Sequence, residues 1–273
     1  MKYLIFAAMA LSALAPASWA TVIGEDNRQA VLELDNQTTG IGVIYSRFPD
    51  KNSKFKCTGT LIAKNFILTA AHCVYKQGIG GFAREVAFIP GLADGSGKDF
   101  PRYSVENIWV SSQFVEAEMN GRAPSRATDR SDIAVLQVQE HGEPMPGDLF
   151  GIKEIYADLD AIVDGQRYTG AHVSYPDDKR QPSSLWVENG CEYWAADAQA
   201  YLTNCDTSVG SSGGALLGAN NTIIGVISSF NNRINFATRI TRNVADEINV
   251  ILTGQGEMTE NFVFGNVNGN LSK

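Results

Sequence analysis

Short runs of apolar residues, separated by polar turns, recur along most of the chain. The runs are rich in Val, Ile, Phe and Tyr and are broken by Gly, Asn and Asp. Residues 58–63 and 66–69 predict a β-hairpin, and residues 133–138 and 222–228 predict two further strands. Many short strands with frequent turns are typical of a barrel or a sandwich, so the pattern predicts an all-β protein.

One clear helical pattern lies near the end of the chain. Apolar residues fall on one helical face between Val244 and Leu252, and Gly254 follows, so we predict a helix that ends there. Residues 255–273 are rich in Asn and Gly. They predict a mobile tail, in which the apolar run 262–264 is able to dock on the protein.

A Pro- and Gly-rich stretch at residues 142–147 interrupts the strand pattern. Such a break is typical of the join between two packed units. We therefore predict an N-terminal unit over residues 21–145 and a C-terminal unit over residues 146–254.

The first twenty residues have the pattern of a secretory signal peptide. Lys2 precedes an apolar run over residues 3–15, and the small-x-small sequence Ser18-Trp19-Ala20 follows. A membrane anchor is the alternative, but the run is shorter than the roughly 20 residues that a bilayer requires. We predict cleavage after Ala20 and export of the remainder to the periplasm or the medium.

Composition and charge exclude some classes of protein. The 273 residues are 44% hydrophobic and 19% charged, which is typical of a globular chain rather than a disordered one. Lys and Arg number 22 against 30 Asp and Glu, a formal net charge of −8. Because phosphate binding needs a basic surface, this charge argues against nucleic acid as a partner.

Export makes the four cysteines candidates for disulfide bonds. Four cysteines allow three pairings, of which the simplest joins near neighbours: Cys57 with Cys73, and Cys191 with Cys205. A zinc site is the alternative, but no Cys-x-x-Cys or His-x3-His spacing is present. We therefore predict no metal site.

Three histidines are present, and one has a suggestive context. His72 follows a predicted strand directly and precedes Cys73. His141 and His172 stand in polar loop sequence without a partner motif, so we interpret both as structural.

The segment Gly210-Ser-Ser-Gly-Gly214 places Ser212 among glycines. Glycine permits positive φ and a close approach of substrate to the backbone. The N–H groups of Gly210 and Ser212 are then candidates to stabilise an oxyanion. A flexible turn is the alternative for a Gly/Ser run. The apolar residues 215–217 that follow favour a loop that leads into a buried strand.

A carboxylate completes the candidate site. Asp132 directly precedes the apolar strand 133–138, and an unpaired buried carboxylate costs several kcal/mol. A histidine N–H is a suitable partner. Asp132 would hold the imidazole, His72 would accept the hydroxyl proton, and Ser212 would attack the substrate.

Three blocks of the sequence resemble the signature blocks of the chymotrypsin-like serine peptidases. The first runs from Thr58-Gly-Thr-Leu-Ile to Leu68-Thr-Ala-Ala-His-Cys, and the others are Ser131-Asp-Ile-Ala-Val-Leu and Gly210-Ser-Ser-Gly-Gly. The chain order His, Asp, Ser is that of this family and not that of subtilisins or α/β-hydrolases. The resemblance covers roughly residues 22–252. It implies two antiparallel six-stranded β-barrels with the catalytic groups between them, followed by a C-terminal helix. It also implies a Cys57–Cys73 bridge and a supporting hydrogen bond from Ser228 to the catalytic Asp.

The sequence departs from the animal members of the family just before the nucleophile. Those enzymes usually have an Asp there, which pairs with the freed N-terminal amine, whereas this chain has Ser211. The Ser-Ser pair and the start Val22-Ile-Gly-Glu-Asp-Asn-Arg resemble secreted bacterial relatives, the glutamyl-endopeptidase-like branch. We therefore expect maturation by signal removal alone or with a very short propeptide.

The resemblance also implies a primary specificity pocket. Asp206, six residues before Ser212, matches the pocket base, where an Asp selects a basic P1 residue. Glutamyl endopeptidases also carry an Asp-Thr pair like Asp206-Thr207, but they receive the substrate carboxylate with a histidine where this chain has Ile227. Ser228 follows in the same strand, and Phe230 replaces a glycine at the pocket entrance unless it is a loop residue turned away. The predictions are a basic P1 residue or, alternatively, a small or apolar one.

These observations predict a monomeric serine endopeptidase that acts on protein or peptide substrates without a cofactor. The alternatives are a catalytically silent binding protein with the same fold, and an esterase or toxin-like protease with one narrow target.

Overall fold

The computed structural model describes residues 22–50, 53–92, 100–122, 126–140, 144–155, 165–179, 184–231, 233–255 and 259–267. The predicted signal peptide and His141 lie outside these residues. The strands are β1 (Gln29–Ala30), β2 (Ile41–Arg47), β3 (Lys54–Leu61), β4 (Phe66–Thr69), β5 (Tyr75–Lys76), β6 (Gly81–Phe82), β7 (Glu85–Pro90), β8 (Tyr103–Ser111), β9 (Ala134–Val138), β10 (Tyr168–Ser174), β11 (Trp186–Ala195), β12 (Ala200–Thr203), β13 (Ala215–Leu217), β14 (Ile223–Phe230), β15 (Asn235–Arg239) and β16 (Phe262–Asn266). The α-helices are α1 (Ser112–Met119), α2 (Arg126–Asp129), α3 (Pro146–Phe150) and α4 (Arg242–Val250).

Two closed antiparallel barrels of six strands each make up the fold. In the first, the strand order is β8-β7-β2-β3-β4-β9, and pairing of β8 with β9 closes the barrel. In the second, the order is β11-β10-β13-β14-β15-β12, and β11 pairs with β12. The predicted fold class is therefore confirmed. Closure leaves neither barrel with a free edge among these strands.

The strands form where β-branched and aromatic residues are concentrated. In β14, the six residues 223–228 are all buried, and β4 is buried throughout. Both faces of such strands are covered, since one faces the barrel interior and the other faces neighbouring elements. Their sequences therefore appear as continuous apolar runs rather than alternating ones.

The predicted C-terminal helix is confirmed as α4, which begins two residues earlier than expected. The hydroxyl of Thr241 accepts a hydrogen bond from the Val244 N–H at 3.3 Å, so Thr241 caps the helix. None of the helices in the described part of the chain is long and apolar enough to cross a membrane.

In the tail predicted over residues 255–273, the apolar run 262–264 docks on the protein. Residues 262–266 form β16, which pairs antiparallel with β8 of the first barrel. The strand docks because Phe262 is buried and the ring of Phe264 lies 5.2 Å from that of Trp109. At the other end of the chain, β1 pairs with β11 of the second barrel.

Both disulfides join near neighbours, which confirms the simplest pairing. Cys57 of β3 is bonded to Cys73, and Cys191 of β11 is bonded to Cys205. The first bridge lies in the N-terminal barrel and the second in the C-terminal one.

Candidate active site

His72 lies on a single 3₁₀ turn, Ala71–Cys73, directly after β4. The Cys57–Cys73 disulfide ties this turn to β3. The side chain of His72 is 29% exposed, whereas its neighbours Ala71 and Cys73 are buried. The turn therefore presents the imidazole at the barrel surface on a rigid support.

Asp132 stands two residues before β9, and its side chain is 4% exposed. One carboxylate oxygen accepts the backbone N–H of His72 at 2.9 Å, and the other lies 2.7 Å from His72 Nδ1. The hydroxyl of Ser228 donates to that second oxygen at 2.6 Å. Asp132 is thus fully hydrogen-bonded, and it holds both the backbone and the ring of His72.

This pairing raises the pKa of His72 and lowers the pKa of Asp132, so it favours the charged form of each group. Burial alone would lower the pKa of His72, but the charge and hydrogen bond of Asp132 outweigh it and raise that pKa. Burial would raise the pKa of Asp132, but His72 and Ser228 together lower it. Asp132 therefore stays ionised and can stabilise an imidazolium when His72 accepts a proton.

Ser212 lies on the loop between Gly210 and Gly214, against the turn that carries His72. Its carbonyl oxygen accepts the N–H of Thr58 at 2.8 Å. The sulfur of Cys73 lies 3.8 Å from His72 Nε2 and 3.9 Å from the same Ser212 oxygen. The second barrel therefore brings Ser212 against the histidine turn of the first.

The backbone around Ser212 leaves two amides available. In the described chain, the N–H groups of Ser211 and Gly213 donate to the carbonyls of Ser208 and Ile227, while those of Gly210 and Ser212 have no backbone acceptor. Gly210 has φ +90°, and a Cβ there would fall on the Tyr175 carbonyl. Glycine is thus required at position 210 for both reasons.

Asp206 is buried, and its carboxylate is engaged by the N-terminal segment. The Ile23 N–H donates to one oxygen at 2.7 Å and the Asn27 N–H to the other at 3.2 Å. Burial raises the pKa of Asp206 although both hydrogen bonds lower it. The nearby Glu188 accepts the Asp206 N–H, and burial raises the pKa of Glu188 to about 7.

The other residues predicted for the pocket lie close by in the second barrel. Thr207 is fully buried, and within the described residues its hydroxyl has no hydrogen-bond partner. Ile227 is buried in β14, and its N–H and C=O bond to the backbone of Gly214 and Gly213. Phe230 is half-buried at the end of β14 and pairs with Asn235.

His172 is buried, with Nδ1 3.2 Å from the Asp206 carbonyl oxygen. Burial lowers the pKa of His172 to about 4, so the ring is neutral at pH 7. The structural interpretation of His172 remains a prediction.

Sequence reasoning missed two groups near the site. Asp129, on α2, is half-buried; burial and the negative charge of Asp132 raise its pKa, and Ser229 hydrogen-bonds to it. The contacts of Ile23 and Asn27 with Asp206 were also missed. No local signal was available for either, because the interacting residues are far apart in sequence or carry no motif.

A possible metal-ligand cluster exists at the site but lacks suitable donors. In the described residues, Cys57, His72 and Cys73 have potential ligand atoms close together. Both cysteines are joined in a disulfide, so neither offers the thiolate that a metal ion requires.

A family model for the trypsin-like peptidase domain matches residues 57–226, which include His72, Asp132 and Ser212. The chain belongs to the trypsin-like peptidase family. Membership supports the predicted enzyme class, a serine endopeptidase, and implies a peptide substrate.

Similar proteins include one curated relative and several solved structures. An "Extracellular metalloprotease" of Bacillus subtilis (strain 168) is 33% identical over 100 residues, which are 36% of this chain and 31% of that protein. The chain therefore matches about a third of the relative's length.

Among solved structures, a Glu endopeptidase in complex with MPD has a TM-score of 0.67 and 25% identity, covering 85% of this chain and 100% of that one. The protease Anisep from Arthrobacter nicotinovorans has a TM-score of 0.58 and 17% identity, covering 78% and 93%. A thermostable serine protease, AL20, from an extremophilic microorganism has a TM-score of 0.57 and 16% identity, covering 82% and 99%. The last two show the fold alone, whereas the first also supports the predicted bacterial branch.

Proposed function

We propose that the chain is a secreted serine endopeptidase that works through an acyl-enzyme on Ser212, with His72 and Asp132 completing a triad. The observation that carries the proposal is the hydrogen-bonded series Ser228, Asp132, His72, placed against the loop of Ser212. A nucleophile, a base and an orienting carboxylate in this order are the groups that acyl transfer needs.

In the proposed reaction, Ser212 Oγ attacks the peptide carbonyl carbon while His72 Nε2 takes the hydroxyl proton. The negative charge that forms on the carbonyl oxygen is stabilised by the N–H groups of Gly210 and Ser212. His72 then gives its proton to the departing amine, and the C–N bond breaks. Water attacks the acyl ester with His72 again as base, which releases the acid and restores Ser212.

The P1 residue that this pocket accepts is proposed to be small or apolar. A basic P1 side chain needs an accessible carboxylate, but Asp206 is 1% exposed and accepts two N–H groups of the N-terminal segment. The Glu endopeptidase relative suggests an acidic P1 residue instead. The side chain of Ile227 offers neither a positive charge nor a hydrogen-bond donor to an acidic P1 side chain.

Export from the cell is proposed on two grounds. The first twenty residues have a signal pattern, and two disulfides are typical of proteins in oxidising compartments. N-terminal sequencing of protein from the medium or the periplasm checks this, with Thr21 expected as the first residue.

Labelling with a fluorophosphonate probe tests the catalytic proposal. We expect a probe adduct on Ser212, located by peptide mapping, and none in the Ser212→Ala variant. Cleavage of a peptide panel varied at P1 should be abolished in the same variant. Activity that survives Ser212→Ala would refute the proposal, and folded, correctly processed protein without any adduct would indicate the silent binding protein instead.

A further inference from the structure

Arg28 is a buried guanidinium between two carboxylates. Its side chain is 1% exposed, and its nitrogens donate to Asp26 at 2.9 Å and to Asp178 at 2.5 and 3.1 Å. Burial alone would lower the pKa of Arg28, but the two carboxylates outweigh it and raise it. Removal of one partner from a buried ion pair strongly destabilises a protein, because the other charge is left buried and unpaired. Arg28 and its two carboxylates therefore hold each other in a fixed geometry.

Asp178 links Arg28 to the loop that precedes the nucleophile. The hydroxyl of Ser208 donates to Asp178 at 2.8 Å. The adjacent residue, Asp177, donates its backbone N–H to the carbonyl of Val209 at 2.7 Å. Asp177 and Asp178 thus bridge between the N-terminal segment and residues 208–209.

The bond to Val209 sets the direction of the Gly210 amide. The Val209 carbonyl and the Gly210 N–H belong to one peptide group, and in a trans peptide they point in opposite directions. The N–H of Gly210 therefore faces away from Asp177. If this peptide rotated, the Gly210 N–H would no longer be able to donate a hydrogen bond to an oxyanion.

This peptide joins an exposed residue to a buried one: Val209 is 43% exposed, whereas Gly210 is buried. Among the described residues, the side chain of Ser211 makes only neutral contacts: its Oγ accepts from Ser174 Oγ at 3.0 Å and from the Ser208 N–H at 3.2 Å. It therefore cannot form the ion pair with an N-terminal amine that an Asp at this position allows.

The segment has a second anchor on its other side. Lys56 of β3 lies 2.5 Å from an oxygen of Asp177, and this pair packs against Gly210. Lys179 similarly contacts Asp26 at 2.5 Å. Charged contacts therefore hold residues 177–179 to the first barrel and to the N-terminal segment.

We propose that Arg28 is a positioning residue for the oxyanion site: by holding Asp178, it fixes the Asp177 amide and hence the peptide that carries the Gly210 N–H. The inference rests on the proposed function, since its catalytic readout is turnover by Ser212. In the animal members of the family, an Asp just before the nucleophile pairs with the freed N-terminal amine. Ser211 cannot form that ion pair, and the proposal gives the role of holding the oxyanion site to Arg28, an internal residue of the N-terminal segment.

The test compares Arg28→Met, which keeps the length of the side chain without its charge, with Arg28→Lys. Arg47→Met is the matched control, because Arg47 pairs with Glu85 at 3.1 Å on the exposed surface of the first barrel. Active sites are counted by fluorophosphonate titration. The values of kcat and KM are then measured per active site on a peptide that the wild type cleaves.

For Arg28→Met we expect kcat to fall between about 10-fold and about 100-fold while KM changes less than about 3-fold. Arg28→Lys should recover part of the loss, and Arg47→Met should match the wild type. A peptide aldehyde, whose adduct places an oxyanion at the site, should lose affinity by the same factor as kcat/KM. A product peptide should bind unchanged. Unchanged kcat, or a change in KM alone, would overturn the proposal.

A variant with a milder change guards against loss of folding. Ser208→Ala removes one hydrogen bond to Asp178, and we expect a fall in kcat of about 3-fold to 10-fold. If Arg28→Met does not fold, wild-type kcat in both Ser208→Ala and Arg28→Lys would refute the idea.

Hydrogen exchange separates this inference from the proposed function. Peptides that cover residues 205–214 should exchange faster in Arg28→Lys than in the wild type, whether or not the protein is active. Failure of wild-type Ser212 to react with the probe would refute the enzyme proposal. Unchanged exchange would refute the role of Arg28.

Discussion

Replacement of Asp132 by Asn should abolish most of the activity through the tautomer of His72. The carboxylate accepts three hydrogen bonds, two from His72 and one from Ser228. An amide has one acceptor oxygen, and the backbone N–H of His72 can only donate, so that oxygen must face it. The amide NH₂ then faces Nδ1, which places the imidazole proton on Nε2.

A histidine protonated on Nε2 cannot accept the proton of Ser212. We therefore expect kcat to fall about 10⁴-fold at pH 7, with KM little changed. At 1.36 kcal/mol per decade this is about 5.5 kcal/mol of lost transition-state stabilisation. The loss far exceeds the roughly 1.5–3 kcal/mol of one charged hydrogen bond, so its size distinguishes a tautomer effect from a weakened contact.

The assay is steady-state cleavage of a peptide found in the P1 panel, with fluorophosphonate labelling to compare nucleophile reactivity. Asp129→Asn is the matched control, because Asp129 also lies near His72 and interacts with it electrostatically. We expect it to retain activity within about tenfold. Equal losses in the two variants, or more than a tenth of the activity in Asp132→Asn, would refute the reasoning.

Three further predictions concern the same loop, the base and the buried acid. The value of kcat/KM should rise with pH as His72 loses its proton, with a midpoint above the ordinary 6.5 because Asp132 raises that pKa; a midpoint below 6.5 would contradict the pairing. Gly210→Ala should lower kcat by at least about tenfold, because φ is +90° and the new Cβ meets the Tyr175 carbonyl; wild-type turnover would contradict this. Glu188 has a folded pKa of about 7 against 4.5, so its ionisation costs stability as the pH rises through that interval. Glu188→Gln should therefore gain about 1–2 kcal/mol of unfolding free energy relative to the wild type between pH 5 and pH 8, measured by denaturant titration; an equal difference at both pH values would contradict the shift.

The sequence predicted the features that depend on neighbouring residues. The strand runs, the helix that ends near Gly254 and the contexts of His72, Asp132 and Ser212 each lie within about ten residues. The resemblance to a known family then joined these local blocks into two barrels. Chain order and short motifs were sufficient because each block carries its own turn chemistry and apolar pattern.

Contacts between distant segments were not predictable in the same way. Ile23 and Asp206 are 183 residues apart, and no periodicity links them. Arg28 and Asp178 carry no motif, and sequence does not reveal which charges become buried. The apolar run 262–264 of the tail was expected to be able to dock, but sequence did not reveal that β8 would be its partner strand.

The two ends of the chain are exchanged between the barrels: β1 pairs with the second barrel and β16 with the first. A single backbone cut in the connection between the barrels would therefore leave each fragment with a strand hydrogen-bonded in the other's sheet. The halves would be expected to stay together after such a nick. Either half expressed by itself would contain its six barrel strands but would lack the seventh strand that the other half adds to its sheet. Co-expression is therefore the appropriate way to reconstitute the protein from two pieces.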